Sequence, residues 1–386
     1  MNDQLSDINR PVVQNLNWNL HIQANDFRRH KVIPSRPWTL MPSTSKQHKP
    51  TLLKEQHLEE YDNDDCRRVN YMRISITDRC NQRCFYCMPQ GGVPHFRHCE
   101  ILRYEEILAV VKAAVQTGFH KFRLTGGEPL VRRDLCGLIQ KMIAIPGVEE
   151  VSLTTNGVLL AGMAPALYAA GLRRLNISLD TLNPLKFRKI AKKDHFHHVL
   201  RGIETSRSVG LNPVKINTVV IRGVNDNEVE DFARWAIQES LAVRFIEYMP
   251  IGQQHMWNPD RFVSIDEIRR RLEQVVDLKP LNRCDLDGPA LRYQLGASKG
   301  EIGLIGAVSH HFCHSCNRLR LTPEGRLRPC LHRDEEIDIK TPLRGGCDEA
   351  ALIALIRKAV GAKIGRRQPP LVSEQHAQRG MSRIGG

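Results

Sequence analysis

Cys80, Cys84 and Cys87 form a C-x3-C-x2-C array within Thr77-Asp78-Arg79-Cys80-Asn81-Gln82-Arg83-Cys84-Phe85-Tyr86-Cys87-Met88-Pro89. Three thiolates on so short a loop can take three corners of an iron–sulfur cubane, because thiolates are the preferred ligands of cluster iron. A fourth iron without a protein ligand would then be open to a substrate. The competing use of the same thiols is a zinc site completed by His95 or His98. Spacing favours the cluster without excluding zinc. A second array, Cys313, Cys316 and Cys330, reads C-x2-C-x13-C. Here spacing slightly favours a zinc ribbon closed by His310, His311, His314 or His332.

The chain has eleven cysteines. The five outside these arrays, Cys66, Cys99, Cys136, Cys284 and Cys347, are scattered and read as ordinary buried or surface thiols. No apolar signal segment opens the sequence, so clustered thiols read as metal ligands in a reducing compartment rather than as a disulfide framework. Arg318 and Arg320 follow directly on Cys316, and guanidinium forks suit phosphate oxygens. Lys215 lies inside a β-branched run, where a buried ammonium needs a partner.

Lys and Arg number 56 against 42 Asp and Glu, a formal charge of +14. That excess favours an anionic partner. The basic residues are spread along the chain with no aromatic-rich recognition motif, so a polyphosphate ligand or anionic cofactor explains it as well as nucleic acid does. The composition, 41% hydrophobic and 25% charged, is globular. No stretch approaches the roughly 20 apolar residues that cross a bilayer.

The elements that must position these residues follow a βα alternation. Strands are predicted over Tyr71–Thr77, Lys121–Thr125, Glu150–Thr154, Arg174–Leu179, Pro213–Ile221 and Val243–Tyr248. Helical periods lie between them, as at Tyr104–Thr117 and Asp231–Glu239, and Gly118, Gly171 and Gly210 stand where helices should end. Such alternation implies parallel βα units, with functional residues at the C-terminal strand ends. Cys80, Gly126-Gly127-Glu128-Pro129, Thr155-Asn156-Gly157, Asp180 and Met249-Pro250 all fall there. Ser264–Leu278 and Asp348–Ala359 are predicted helices, with irregular segments between them to about Arg344. Residues 1–66 are rich in Asn, Gln, His, Pro and Lys. They read as a flexible extension; an organellar presequence stays open, with the acidic residues and sparse Arg near the start arguing against it.

The first cysteine loop, with Tyr86 as the aromatic residue before Cys87, resembles the motif of the radical S-adenosylmethionine superfamily. Gly126-Gly127-Glu128-Pro129 matches the GGEP motif of that superfamily, in which a carboxylate suits the ammonium of S-adenosylmethionine. Residues from about 67 onward are similar to the GTP 3′,8-cyclase family within it. The resemblance is carried by Arg73–Cys80, Phe122–Leu130, Thr154–Gly157, Asn176–Asp180, Lys215–Asn217, Phe245–Pro250, the second cysteine array and the terminal Ile384-Gly385-Gly386.

The resemblance implies an α/β fold: a partial (β/α)6 TIM-like barrel over residues 67–250, a C-terminal auxiliary-cluster domain over 251–375, and a tail over 376–386 ending in Gly-Gly. It implies two 4Fe–4S clusters, held by Cys80, Cys84 and Cys87 and by Cys313, Cys316 and Cys330. Tyr86, Gly127, Ser178 and Met249 would contact S-adenosylmethionine. Arg73, Arg123, Thr154, Lys215, Arg318 and Arg320 would contact GTP, and Arg318, Arg320, Gly385 and Gly386 would serve catalysis. The implied reaction is a radical lyase step converting GTP to (8S)-3′,8-cyclo-7,8-dihydroguanosine 5′-triphosphate, the first of molybdenum cofactor biosynthesis. The expected partners are GTP, an electron donor, a downstream cyclic pyranopterin monophosphate synthase and, for assembly, a second copy of the chain. Nucleic acid and membrane are not among them, and the cytoplasm is the expected location. Two readings compete with this one. A peptide-modifying radical maturase would carry more cysteines in its second group, and a zinc-stabilised nucleic-acid-binding protein would hold no iron.

Overall fold

The computed structural model describes residues 69–89, 91–251, 257–282, 288–365 and 379–385. The extension over 1–66, Cys66, Cys284 and Gly386 lie outside them. All six predicted strands form, as β1 (Tyr71–Ser75), β2 (Lys121–Thr125), β3 (Glu150–Thr155), β4 (Arg174–Ser178), β5 (Val214–Val220) and β6 (Ala242–Glu247). They pair in sequential order, each parallel to the next. Between them run α1 (Tyr104–Val115), α2 (Leu135–Ile143), α3 (Leu160–Ala169), α4 (Pro184–Ala191), α5 (Phe196–Ser208) and α6 (Val229–Glu239). This mixed α/β arrangement is the partial barrel expected of the superfamily.

The two faces of the strands differ, because successive side chains of a strand point to opposite sides of a sheet. Met72, Ile74, Phe122, Leu124, Leu153, Leu175, Ile177, Ile216, Val243 and Phe245 are buried in the apolar core with the helices. The alternate positions, among them Arg73, Arg123, Thr154, Asn176, Ser178, Asn217 and Arg244, line a cavity. The interior of the barrel is therefore polar, and its exterior carries the hydrophobic stabilisation. Gly118, Gly171 and Gly210 take φ of +92°, +95° and +89° just after α1, α3 and α5, the left-handed conformation that glycine adopts at least cost.

Sequence reading left the segment after Pro250 mostly irregular, and there the structure departs from it. α7 (Ile265–Glu273) is capped by the Ser264 hydroxyl, which accepts the Glu267 N–H at 3.2 Å, but it is shorter than predicted. Leu278 leaves the helix and opens β7 (Leu278–Pro280), followed by β8 (Leu291–Leu295), β9 (Glu301–Ile305), β10 (Arg318–Leu321), β11 (Arg326–Arg328) and β12 (Ile337–Asp338). Among the described residues the strands make one twelve-stranded sheet, ordered β12-β11-β10-β1-β2-β3-β4-β5-β6-β9-β8-β7. C-terminal strands thus extend both edges of the barrel sheet, β10 parallel to β1 and β9 parallel to β6.

Two helices follow these strands, α8 (Lys340–Arg344) and α9 (Glu349–Ile364), and the described residues end in α10 (Met381–Ile384). Asp348 caps α9 by accepting the Ala351 N–H at 2.8 Å. The helix runs past the predicted end at Ala359 to Ile364, which brings Lys363 into the interior.

Candidate active site

One cavity of about 340 Å³ spans the C-terminal strand ends and both cysteine arrays. All six array cysteines line it, as do Arg73, Tyr86, Arg123, Gly127, Thr154, Ser178, Met249, Arg318 and Arg320. Lys215 does not. It lies buried in β5, on the strand face that carries Asn217 and Val219 to the cavity wall. Gly385 does not line it either, but its carbonyl accepts from Arg320, which does, and Gly386 is outside the described residues.

The first cysteine loop is held mainly through its backbone. Arg83 and Phe85 donate their N–H groups to the carbonyls of Ala191 and Ile190 at 2.9 and 3.1 Å, tying the loop to the end of α4. The Arg83 guanidinium returns to the carbonyls of Cys80 and Gln82 at 2.6 and 2.8 Å. Two uncharged donors approach the Cys80 sulfur, the Gln82 N–H at 3.4 Å and Asn156 Nδ2 at 3.8 Å. Such N–H···S contacts suit a metal-bound thiolate. Burial raises the thiol pKa of Cys80, Cys84 and Cys87, so these groups resist ionisation without a positive partner.

Gly126 and Gly127 of the GGEP segment line the cavity as expected, but the Glu128 side chain is placed elsewhere. Glu128 does not line the cavity, so its carboxylate is not offered there to an ammonium. It is buried against the end of β3, accepting from the N–H groups of Leu130 and Asn156 and the Thr155 hydroxyl at 3.0, 2.6 and 2.6 Å. Burial lifts its pKa to about 7 against the pull of these donors. The two glycines let the segment press on the first loop. A Cβ on Gly127 would stand 2.4 Å from the Arg79 carbonyl oxygen, and one on Gly126 would stand 2.7 Å from that of Thr77. GGEP is therefore a brace between the cysteine loop and β3.

Tyr86 donates its hydroxyl to Asp180 Oδ2 at 2.5 Å, across the cavity wall to the residues after β4. Burial raises Asp180 to about 6 and the Tyr86 phenol well above its ordinary value, the latter with a further contribution from the Asp180 charge. Val219 also donates its N–H to Asp180, at 2.9 Å. Asp180 thus fixes the aromatic residue of the cysteine motif to two strands.

Strand register sets the arginine-bearing wall. Arg320 on β10 pairs with Arg73 on β1, and Arg73 with Arg123 on β2, so three guanidinium-bearing residues lie in one row across adjacent strands. Arg318 stands one step below, opposite Tyr71, its guanidinium 5.0 Å from the centre of the Phe312 ring. Arg123 donates to the Ser152 hydroxyl at 3.1 Å. Burial brings Arg73 down to about 10 and holds Arg320 well below its ordinary value, with the neighbouring guanidinium charges adding to the effect. Positive charge concentrated this way on buried side chains calls for an anion. Thr154 Oγ1 and Asn217 Oδ1 are also buried without a hydrogen-bond partner, as polar atoms awaiting a ligand would be.

The second array sits beside this wall. Cys313 to Ser315 form a single tight turn, and β10 starts just beyond Cys316. Burial opposes ionisation of Cys316, yet the Arg318 and Lys363 charges bring its pKa down to about 6. The histidines named as zinc ligands divide. His311 and His332 line the cavity, His95 lies 3.4 Å from Asp78, and His310 pairs with Asp266 at 2.6 Å. Among the described residues no three His, Cys, Asp or Glu side chains are grouped to hold one metal ion. A cubane does not require such a group, since each thiolate meets its own iron. Cys136 and Cys347 pack against the core and Cys99 is exposed, as ordinary thiols would be.

Sequence reasoning missed Lys363, Asn156 as a donor to sulfur, and the lining residues Lys121, Arg174, Asn217 and Arg244. The last four lie at alternate strand positions, so the period-2 pattern was the signal that could have found them. No described helix is long and apolar enough to cross a membrane.

Two family models match the chain, Radical SAM superfamily over residues 74–236 and Molybdenum Cofactor Synthesis C over residues 241–368. The GTP 3′,8-cyclase of Moorella thermoacetica is 48% identical over 326 residues, which cover 83% of this chain and 98% of that one. The GTP 3′,8-cyclase of Desulforamulus reducens is 47% identical over 327 residues, with the same coverage. Among solved structures, Streptococcus suis SuiB bound to S-adenosylmethionine superposes with a TM-score of 0.52 at 12% identity. The match covers 70% of this chain and 63% of SuiB, and it is a likeness of fold alone. With the parallel barrel, the cysteine loop braced by GGEP and identity near one half over nearly the whole length of these relatives, the chain belongs to the GTP 3′,8-cyclase family of the radical S-adenosylmethionine superfamily.

Proposed function

We propose that the chain converts GTP to (8S)-3′,8-cyclo-7,8-dihydroguanosine 5′-triphosphate with S-adenosylmethionine as co-substrate, opening molybdenum cofactor biosynthesis. The relatives at 48% and 47% identity are named GTP 3′,8-cyclase. The observation that carries the reading to this chain is the row Arg320, Arg73, Arg123 lining a cavity that both cysteine triads also line.

Cys80, Cys84 and Cys87 would hold the cluster that faces S-adenosylmethionine, and Cys313, Cys316 and Cys330 a second 4Fe–4S cluster facing the nucleotide. Both triads fit such a group, lying on the cavity wall with N–H donors directed at sulfur. When bound, the first cluster supplies the electron that cleaves S-adenosylmethionine reductively and so gives access to carbon-radical chemistry.

The work of the chain is positioning. Tyr86, Gly127, Ser178 and Met249 bind S-adenosylmethionine at the strand ends, with Tyr86 oriented by Asp180. Arg73, Arg123, Arg318 and Arg320 take the triphosphate, since guanidinium forks meet phosphate oxygens in pairs. Thr154 offers its unpartnered hydroxyl to the same nucleotide, and Lys215, on β5 one same-face step from Asn217 but outside the cavity lining, would have to extend to meet it. Gly385, hydrogen-bonded to Arg320, orients that guanidinium and closes the cavity against water. Holding two ligands in reacting geometry and excluding solvent are the terms a protein contributes to such chemistry.

The test is an anaerobic assay of the reconstituted protein with S-adenosylmethionine, dithionite and GTP, read by mass spectrometry. The expected products are 5′-deoxyadenosine and a cyclised isomer of GTP in matching amounts. Cleavage of S-adenosylmethionine with GTP unchanged would reject the substrate. Absence of cleavage with about eight irons bound per chain would reject the reaction.

A further inference from the structure

A buried lysine enters the second cysteine site from the helical side. Lys363, near the end of α9, donates from Nζ to Cys316 Sγ at 3.2 Å and to the Pro329 carbonyl at 3.0 Å. Pro329 immediately precedes Cys330, so one ammonium joins the two chain segments that carry the triad. The position of α9 is set by packing remote from the site. Its Leu352, Ile356 and Ala359 are buried in the core, and the Asp348 cap fixes its start. Lys363 also lines the cavity.

The first triad has a different electrostatic setting. The Cys80 sulfur is met by the uncharged Gln82 N–H and Asn156 amide, and Cys84 by Gln82 Oε1. The nearby cation, Arg83, is taken up by the Cys80 and Gln82 carbonyls, and it is opposed by the Glu128 carboxylate at Cys80 and the Asp180 carboxylate at Cys84 and Cys87. The second triad is faced by the cations of Lys363 and Arg318. Reducing an iron–sulfur cluster adds one negative charge to it. Hydrogen bonds to the sulfurs and nearby positive charge stabilise that state more than the oxidised one.

We propose that Lys363 is a positioning residue that raises the reduction potential of the cluster held by Cys313, Cys316 and Cys330. The inference rests on the reading that this triad binds a 4Fe–4S cluster. One electron is taken up from the added reductant, no bond is made or broken, and Lys363 keeps its proton.

The experiment is an anaerobic redox titration of the reconstituted full chain, followed by electron paramagnetic resonance, for wild type, Lys363→Met and Lys363→Arg. The expected result is a C-terminal cluster potential shifted negative in Lys363→Met and largely restored in Lys363→Arg, with the first cluster unchanged in both. An unshifted potential in a fully loaded Lys363→Met overturns the proposal. Where Lys363→Met loses the second cluster, the wild type labelled with 15N-lysine decides. Electron–nuclear double resonance of the reduced cluster should then detect a lysine nitrogen, and its absence overturns the proposal. Zinc, or about four irons per chain, in the wild type would instead reject the cluster reading itself, which metal analysis alone distinguishes.

Discussion

The carbonyl of Gly385 accepts a hydrogen bond from Nη1 of Arg320, which joins α10 to the arginine row of the barrel. Gly385 has a φ of +72°, and a Cβ there would lie 3.1 Å from both Ser75 Cβ and Thr125 Cγ2, at the ends of β1 and β2. A side chain in that conformation costs about 1–2 kcal/mol before any crowding. Gly385→Ala is therefore expected to keep its iron and its cleavage of S-adenosylmethionine. The cyclised product per cleavage should fall about tenfold or more, as a positioning loss of about 1.4 kcal/mol implies. An unchanged product-to-cleavage ratio would limit Gly385 to packing.

The cysteine triads should separate in function. Cys80→Ala is expected to abolish 5′-deoxyadenosine formation. Cys313→Ala should retain it while losing conversion of GTP, and each should lose about half the iron. Iron analysis with product quantification checks both, and equal behaviour of the two variants would contradict the division.

The row of Arg320, Arg73 and Arg123 predicts how substrate affinity responds to charge removal. Arg73→Gln should raise the KM for GTP about tenfold or more, because a hydrogen bond to a charged partner contributes about 1.5–3 kcal/mol. Its KM for S-adenosylmethionine should stay within about twofold, the row lying on β10, β1 and β2 while Ser178 lies on β4 and Tyr86 is held by Asp180 just after it. A comparable rise for both ligands would argue for a collapse of the cavity instead.

Glu128 gives a pH signature. Its pKa of about 7, raised by burial, means the folded state binds the proton more tightly than the unfolded chain does. Its titration contributes stability that is fully present below the ordinary carboxylate value of 4.5 and is lost as pH rises through about 7. Glu128→Gln lacks this titration. The stability advantage of wild type over the variant should therefore shrink by about 1–3 kcal/mol between about pH 5 and pH 8. Thermal unfolding across that range measures it, and a gap that widens with pH would reverse the assignment.

Glu247 joins the barrel to the segments that follow it. It is fully buried and accepts from the N–H groups of Ile265, Val308 and Ser309 at 2.9, 2.7 and 2.9 Å, and from the Ser309 hydroxyl. Glu247→Ala strands these donors, at about 1–3 kcal/mol for each left unsatisfied. The denaturant midpoint should fall sharply, and the Glu247→Gln loss should be smaller because one acceptor oxygen remains.

Much of the barrel and of its site was legible in the amino-acid order. Strand β2 agreed at both ends and the other five within two residues at either end, because each alternates apolar and polar positions and most follow a helix closed by a left-handed glycine. The first cysteine array came from a short motif after a strand, where a parallel α/β sheet presents its functional groups, while the proposed ligand contacts were carried by the resemblance to a family. These are local properties, encoded in contiguous residues.

Tertiary structure alone decided the rest. Strands β7 to β12 were missed because the alternation with helices stops there, and the pairings that attach them to the barrel are long-range, β10 joining β1 and β9 joining β6. That pairing sets Arg320 beside Arg73 and Arg123, a row that no local period announces. Glu128 reads in sequence as a ligand for an ammonium, yet in space it braces β3, because its partners Thr155 and Asn156 arrive from another strand. Lys363 lies near the exposed end of a helix whose pattern gives no hint of function. Only the packing of α9 against the core directs its ammonium to the sulfur of Cys316, since contacts between residues distant in sequence are settled by burial and register.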